Sequence, residues 1–415
     1  MLNKIIDKFA KTPTEKLIEH EGEFVAHNYL PLPVVLTKGE GCYLWDHEGK
    51  KYLDMMSAYS AVSLGHSNPR IVKRLIEQAQ TLAMTSRAYH TNTMGPFLEK
   101  LVGMTGLDMA LPMNTGAEAV ETAIKAARLW GYAVKKIPEG QAEIIVAEGN
   151  FHGRTTTIIG FSSEASYRKN FGPFTPGFKA VPFDDIKAIE AAITPNTAAI
   201  LIEPIQGEAG IKVPHDGFLK ELRALCDEKN IVFVLDEVQS GLGRTGKMFA
   251  YQHENILPDV LILGKALGGG LLPVSAIVGK REVMELFKPG SHGSTFGGNP
   301  LASAVGLEAL KIFEEDDMVE NSAKLGAYMM EQLRGLNSAF IVGVRGKGLW
   351  IGVDFDPKKV TARKVCEMLM EKGILSKETH DTVVRFAPPL TVTKEQIDWC
   401  VEQLKDVLRA LEGGE

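Results

Sequence analysis

Two oppositely charged side chains stand at the ends of two apolar runs. Lys265 follows Ile256–Gly264 and precedes the cluster Gly268–Gly270, and Asp236 closes the run Ile231–Leu235. Both runs read as short buried strands whose last residues emerge at one edge of a sheet. An amine and a carboxylate delivered to one edge are what pyridoxal phosphate requires. The amine condenses with the cofactor aldehyde, and the carboxylate pairs with the pyridinium nitrogen. Each feature alone has a plainer reading. A lysine after an apolar run is most often a solvated strand end. A strand ending in Asp236-Glu237 also resembles the magnesium-binding strand of a P-loop ATPase. That rival needs a GxxxxGK[ST] loop. At Gly264-Lys265 the upstream glycine position holds Asp259 and the next residue is Ala266, so the ATPase reading fails.

Other stretches carry compatible chemistry. In Met113–Arg128 a turn runs into a strong helix, with Thr115 and Glu118 spaced as a capping box. Gly116 and Ala117 leave the first helical amides open, and a helix N-terminus favours an anion there. A capped helix without any ligand is the plain alternative. Gly149–Thr155 follows the run Ile144–Val146 and offers an aromatic face, Phe151, and a guanidinium, Arg154, suited to a carboxylate. His152 between them reads as structural. Glu203–Gly210 brings Glu208 to the same edge, and Gln239 lies within reach of the cofactor's phenolic oxygen. His292–Pro300 is a glycine-rich turn with two hydroxyls, fit for phosphate or simply a tight loop.

The elements that must position these groups alternate from about residue 110 to 300. Short apolar strands (Ile144–Val146, Ala199–Ile202, Ile231–Leu235, Val260–Leu263) are separated by helical stretches. That alternation predicts an α/β fold with a largely parallel sheet covered by helices on both faces. Upstream, Gly41–Leu53 reads as a hairpin turning at Glu48-Gly49, and Asn68-Pro69 starts a helix reaching about Ala83. After Asn299-Pro300 a long helical stretch, about Leu301 to Leu333, leads to strands at Phe340–Val344, Leu349–Val353 and Val383–Phe386. Helices near Ala362–Lys372 and Lys394–Leu411 complete a smaller α+β domain. The division expected is an N-terminal segment (1–58), a large domain (59–300) and a small domain (301–415).

Composition narrows the classes. The 415 residues are 45% hydrophobic and 24% charged, with a net charge of −6. A mildly acidic chain without basic blocks is a poor partner for nucleic acid or an anionic membrane. No apolar run approaches membrane-spanning length. The start, Met1–Phe9, carries an acid and lacks a signal-peptide core. Cys42, Cys226, Cys366 and Cys400 are scattered without metal-ligand spacing, so no metal site is expected and isolated thiols in a reducing compartment are.

Taken together, these stretches resemble the class-III, fold-type-I pyridoxal phosphate aminotransferases, and within them the ornithine aminotransferases. The resemblance runs nearly end to end. It is carried by His27–Pro33, Ser57–Val62, Met113–Gly116, Glu203–Gly210, Asp236–Gln239, Gly264–Leu267, Pro273–Ala276, Gly293–Gly298 and Arg385–Pro389. The Tyr29 segment, Pro273–Ala276 and Arg385–Pro389 favour ornithine over acetylornithine enzymes. Phe151-His152 stands where the animal ornithine enzymes carry Phe-Trp, and the segment Ser240–Gly246 is similar to acetylornithine enzymes too.

The resemblance implies a mainly parallel seven-stranded sheet in the large domain. It also implies roles. Lys265 would bind the cofactor aldehyde and shuttle a proton; Asp236 would pair with the ring nitrogen, Gln239 with the ring oxygen, and Phe151 would stack on the ring. Amides of Gly116 and Ala117 would hold the phosphate, with Thr295 of a neighbouring subunit. Tyr29 and Arg154 would take the ornithine α-carboxylate, and Tyr59 would line the pocket. Glu208 would screen Arg385 in one half-reaction and release it in the other. The reaction implied moves the ornithine δ-amine to 2-oxoglutarate, giving glutamate semialdehyde and glutamate. A homodimer or dimer of dimers in the cytoplasm is implied as well. Acetylornithine and 4-aminobutyrate transaminases are the nearest alternatives; a non-catalytic protein on the same fold is the distant one.

Overall fold

The computed structural model describes residues 11–413. Residues 1–9, read above for leader features, lie outside them. Among the described residues fifteen strands form three sheets. The first contains β1 (Leu36–Glu40), β2 (Tyr43–Asp46) and β3 (Lys51–Asp54). The second contains β4 (Met109–Met113), β5 (Glu143–Ala147), β6 (Phe178–Val181), β7 (Thr197–Ile202), β8 (Val232–Asp236), β9 (Val260–Leu263) and β10 (Ser275–Gly279). The remainder are β11 (Ile341–Gly346), β12 (Ile351–Phe355), β13 (Ile374–Leu375), β14 (Lys377–Thr379) and β15 (Val383–Phe386).

The central sheet has seven strands in the order β4-β10-β9-β8-β7-β5-β6. Strands β9 through β6 are parallel, and β10 runs antiparallel to both its neighbours. The middle strands are buried along their whole length, as continuous Val/Ile/Leu runs require. Alternate side chains feed opposite layers. Ile144, Val146, Ala199, Leu201, Val232, Val234, Val260 and Ile262 pack under the helix Gly116–Ala133. Ile145, Ile200, Ile202, Phe233, Leu235, Leu261 and Leu263 face the other way, into a core that also holds Val353, Phe386 and Leu404. This is the period-two geometry of a strand seen from both faces. The small C-terminal α+β part therefore shares one continuous apolar core with the sheet.

The hairpin at Glu48-Gly49 forms β2 and β3, and β3 is extended in parallel by β13 from the C-terminal part. Asn68 caps the helix Pro69–Thr81. The long helical stretch expected after Asn299 consists of two helices, Pro300–Glu315 and Met318–Arg334, broken where Asp317 takes a left-handed φ of 50°. Where the segments after β8 and before β12 cross the second of these helices, the backbones nearly touch. A Cβ on Gly326 would lie 2.1 Å from the Gly348 carbonyl carbon, and one on Gly348 would lie 2.4 Å from that of Thr245. Only glycine fits such an approach. No helix among the described residues is long and apolar enough to cross a membrane.

Candidate active site

The carboxyl ends of the parallel strands deliver the reactive groups to one edge, the usual ligand position in an open α/β sheet. β8 ends on Asp236, β7 leads into Glu203, β5 leads into the loop of Phe151 and His152, and two residues after β9 comes Lys265. Lys265 itself takes a left-handed φ of 46° at the start of a 3-10 turn, which lifts its side chain off the strand direction. These groups, with Gly116, Ala117, Ile205, Val238, Gln239 and Ser240, line one cavity of about 200 Å³.

The cavity's base is a buried polar chain. Asp236 Oδ2 meets His152 Nδ1 at 2.7 Å, and Asp236 Oδ1 accepts from the Val238 amide at 3.0 Å. Glu203 Oε2 accepts from the Phe151 amide at 3.0 Å, which fixes the loop carrying both Phe151 and His152. Burial pushes the Glu203 carboxyl up to about 7, with His152 pulling it down and Asp236 pushing it up. Burial works against a charged His152, yet the bond to Asp236 and the nearby carboxylates raise its pKa above the ordinary value. Burial lowers the Lys265 ammonium, opposed by Glu208, Asp236 and Glu203. A neutral amine is thereby made more accessible at Lys265.

One wall is the start of the helix Gly116–Ala133. Its capping box is complete: Glu118 N donates to Thr115 Oγ1 at 3.2 Å, and Thr115 N donates to Glu118 Oε2 at 2.7 Å. The box occupies those two amides and leaves the amides of Gly116 and Ala117, residues that line the cavity, outside it. Ser275 Oγ, from β10, donates to the Thr115 carbonyl at 2.7 Å and anchors the turn.

Beside the cavity sits an ion pair. Arg385, on β15 and buried, donates to Glu208 Oε1 at 2.6 Å, and Gln239 Nε2 lies 3.5 Å from the same oxygen. Burial opposes ionisation of Glu208, but Arg385 and Lys265 hold its carboxyl below the ordinary value. Arg385 also lies over the Tyr59 ring, 5.0 Å from its centre. Tyr59 belongs to one turn, Ser57–Ser60, whose four residues all have positive φ (44°, 47°, 59° and 72°).

The residues expected from the sequence thus fall into groups. Lys265, Asp236, Gln239, Phe151, Gly116 and Ala117 share the cavity. Glu208, Arg385 and Tyr59 are joined to it through Gln239. Arg154 is exposed and stacks on Tyr167 at 3.5 Å, with the Phe151 ring 5.4 Å away. Tyr29 is 75% exposed. Thr295 is exposed on a loop tied to the phosphate-side turn by Asn114 Nδ2 donating to Ser294 Oγ at 3.0 Å, and it does not line its own chain's cavity. Sequence reasoning left His152 structural and did not single out Glu203. The signal for His152 was its place in the loop after β5, two strands along the sheet from Asp236 at the end of β8.

The aminotransferase class-III family profile matches residues 24–408. The chain belongs to the class-III aminotransferases. It is 54% identical to the ornithine aminotransferase of Brevibacillus brevis over 399 residues, 96% of this chain and 99% of that one. A solved ornithine aminotransferase from Toxoplasma gondii, described with partial pyridoxal phosphate at its active site, superposes with a TM-score of 0.96 at 41% identity, covering 100% of this chain and 98% of that one. An acetylornithine aminotransferase structure from Elizabethkingia anophelis gives 0.89 at 50% identity, over 96% and 100%.

Pyridoxal phosphate is the cofactor, and the donor set fits it. Free amides at a helix start suit a phosphate, a buried carboxylate suits a ring nitrogen, an aromatic side chain offers a face for a flat ring, and a buried lysine stands opposite.

Proposed function

We propose that this enzyme transfers the δ-amino group of L-ornithine to 2-oxoglutarate, giving glutamate 5-semialdehyde and L-glutamate. The observation that carries this reading is the Glu208–Arg385 pair beside the Lys265 cavity. Glutamate and 2-oxoglutarate each bring two carboxylates and need a second cationic anchor. Ornithine brings one carboxylate and two amines. An open arginine beside the cofactor would seize its α-carboxylate and present the wrong amine. Glu208 covers that arginine, and leaves it when a dicarboxylate arrives. The ornithine aminotransferases that this chain resembles support the same substrate.

Bound pyridoxal phosphate supplies an aldehyde that takes up amino groups and a ring that withdraws electrons. The chain's own groups do the rest. Lys265 Nζ would hold the cofactor and would carry the proton off and back onto the substrate carbon. Asp236, oriented by His152, would support a protonated ring nitrogen, and Gln239 would meet the ring oxygen. Phe151 would wall the ring, and the amides of Gly116 and Ala117 would hold the phosphate. Thr295 completes that phosphate site from a second copy of the chain, so the working unit is a homodimer or a dimer of dimers. Tyr29 and Arg154 receive the ornithine α-carboxylate, which requires Arg154 to leave Tyr167. The division near residues 58 and 300 belongs to the same reading. So does a cytoplasmic location, which suits four buried cysteines that are all free thiols.

The 50% identity to a structure named acetylornithine aminotransferase makes that substrate the second reading. Acetylation removes the α-amino charge and adds bulk. Purified holoenzyme given ornithine, N-acetylornithine or 4-aminobutyrate with 2-oxoglutarate decides between them. We expect kcat/KM for ornithine to lead by at least about 100-fold, a gap of roughly 2.7 kcal/mol. A higher value for N-acetylornithine overturns the assignment.

A further inference from the structure

Arg244 is the second-largest fully buried side chain among the described residues, at 0% exposure. It belongs to the segment Ser240–Gly246, of which Ser240 lines the cavity while the catalytic reading gives the rest no role. Its guanidinium has neutral partners. Nη1 donates to the Leu349 carbonyl at 2.9 Å and the Pro388 carbonyl at 2.6 Å. Nη2 donates to Ser57 Oγ at 3.1 Å and Ser63 Oγ at 3.0 Å. Nε has no partner among the described residues. Burial depresses its pKa to about 9, with Asp54 the one opposing charge. A buried cation without a paired carboxylate costs several kcal/mol. An apolar side chain would fill the space at less cost.

What the cation holds is specific. Ser57 opens the left-handed turn that carries Tyr59, and Ser63 lies three residues beyond its end. Left-handed conformation is unfavourable for residues with a Cβ, so this turn does not hold itself. Asp54 Oδ1 accepts from the amides of Met56 and Ser57 at 2.8 and 2.9 Å, and Ser57 Oγ donates to the Ala387 carbonyl at 2.7 Å. Ala387 and Pro388 directly follow β15, the strand of Arg385. The Ala387 amide donates back to the Met55 carbonyl at 2.7 Å, and the Leu390 amide to that of Ser63 at 2.8 Å. One planar fork therefore spans the Tyr59 turn and the Arg385 strand, 187 and 144 residues away along the chain. Lysine cannot copy it, because three donors on one atom do not reach two separate pairs of acceptors.

We propose that Arg244 is a positioning residue for substrate carboxylate recognition: it sets Tyr59 against Arg385, and so the readiness of Arg385 to receive a dicarboxylate. This rests on the reading of Glu208 and Arg385 as a substrate-dependent switch. Ornithine does not use Arg385, so a loosened Tyr59–Arg385 register falls mainly on the glutamate and 2-oxoglutarate half-reaction.

The test is rapid-mixing kinetics of both half-reactions on holoenzyme, with Arg244→Lys, Ser57→Ala and Glu208→Ala measured in parallel. Arg244→Lys should raise KM for glutamate and 2-oxoglutarate at least tenfold, leave their kcat within about threefold, and change the ornithine half-reaction by less than threefold. The visible band of lysine-bound cofactor should be unchanged. Ser57→Ala should move the same parameters in the same direction by a smaller factor, and it decides the matter if the lysine variant yields no folded holoenzyme. Equal losses in both half-reactions, or loss of cofactor with no KM split, overturn the proposal and leave Arg244 a general brace. Glu208→Ala separates the two ideas. If it discriminates between the half-reactions while the Arg244 and Ser57 variants do not, the switch stands and this inference falls. If it shows no discrimination, the switch falls first.

Discussion

His152 Nδ1 and Asp236 Oδ2 lie 2.7 Å apart with both side chains buried, so the carboxylate beneath the cofactor site has a fixed orientation. A hydrogen bond to a charged group contributes roughly 1.5–3 kcal/mol. His152→Gln should therefore slow ornithine turnover about 10- to 100-fold with the fold retained. Asp236→Asn should cost more. At an effective dielectric of ~20, charges about 4 Å apart attract by roughly 4 kcal/mol, about three pKa units of support for the ring nitrogen. Single-turnover rates of the two variants check the ranking, and an unchanged rate in Asp236→Asn removes it from the chemistry.

Lys265→Ala should abolish multiple turnover and the visible absorption of lysine-linked cofactor, while circular dichroism stays that of the wild type. Burial lowers the Lys265 ammonium, so cofactor capture by apoenzyme should persist to lower pH than for a free lysine. Normal turnover by the alanine variant ends the assignment.

Glu208→Ala should raise kcat/KM for glutamate and lower it for ornithine, because Arg385 is then open in both half-reactions. The pair is partly solvated, with 22% of the Glu208 side chain exposed, so its opening should cost less than the 3–5 kcal/mol or so of breaking a fully buried pair. Stopped-flow rates with each amino donor report the two directions, and a parallel decline means that Glu208 is not a selective cover.

Mixing Lys265→Ala chains with Thr295→Ala chains should create heterodimers with one intact and one doubly damaged site. About half of wild-type activity per heterodimer is expected. Were each site built from a single chain, every heterodimer site would carry one lesion and no wild-type-like site would appear.

Glu203 gives a stability test with a definite sign. Its carboxyl ordinarily titrates at 4.5 and burial raises it to about 7 in the fold. Between those values the folded chain binds more protons than the unfolded one, so stability falls as pH rises through that window. Below it the penalty is absent. Glu203→Gln keeps an acceptor for the Phe151 amide and removes the fall. Melting of apoenzyme from pH 5 to 8 should show the variant gaining on the wild type by up to about 3 kcal/mol. Parallel profiles would mean that Glu203 is not the titrating group.

What the sequence disclosed was local. The Asn68 cap, the Glu48-Gly49 hairpin and the Thr115–Glu118 box are written in adjacent residues, and the structure contains each of them. The apolar runs ending at Asp236 and before Lys265 placed both groups at one sheet edge because fully buried parallel strands have little other reading. What escaped was set through space. His152 acquires its partner from a strand 84 residues on. The break at Asp317 interrupts an apolar periodicity that continues on either side of it. The Tyr59 turn holds no glycine, so nothing in Ser57–Ser60 announces four left-handed residues. Insertion of β10 between β4 and β9 is a matter of tertiary pairing, to which short apolar runs are blind.

The bond that ties the Tyr59 turn to Ala387 also dictates when the carboxylate-binding wall can be finished during synthesis. Ser57 and its acceptor Ala387 are separated by 330 residues. A nascent chain therefore makes the whole central sheet before the segments that close the Tyr59 turn leave the ribosome. Until then the sheet face destined for Val353 and Phe386 stays uncovered, a surface that invites aggregation. Final assembly of the carboxylate-binding wall thus waits for the segment around Ala387. Chains stalled short of Pro388 should remain cleavable around Ser57, which limited proteolysis of stalled complexes measures.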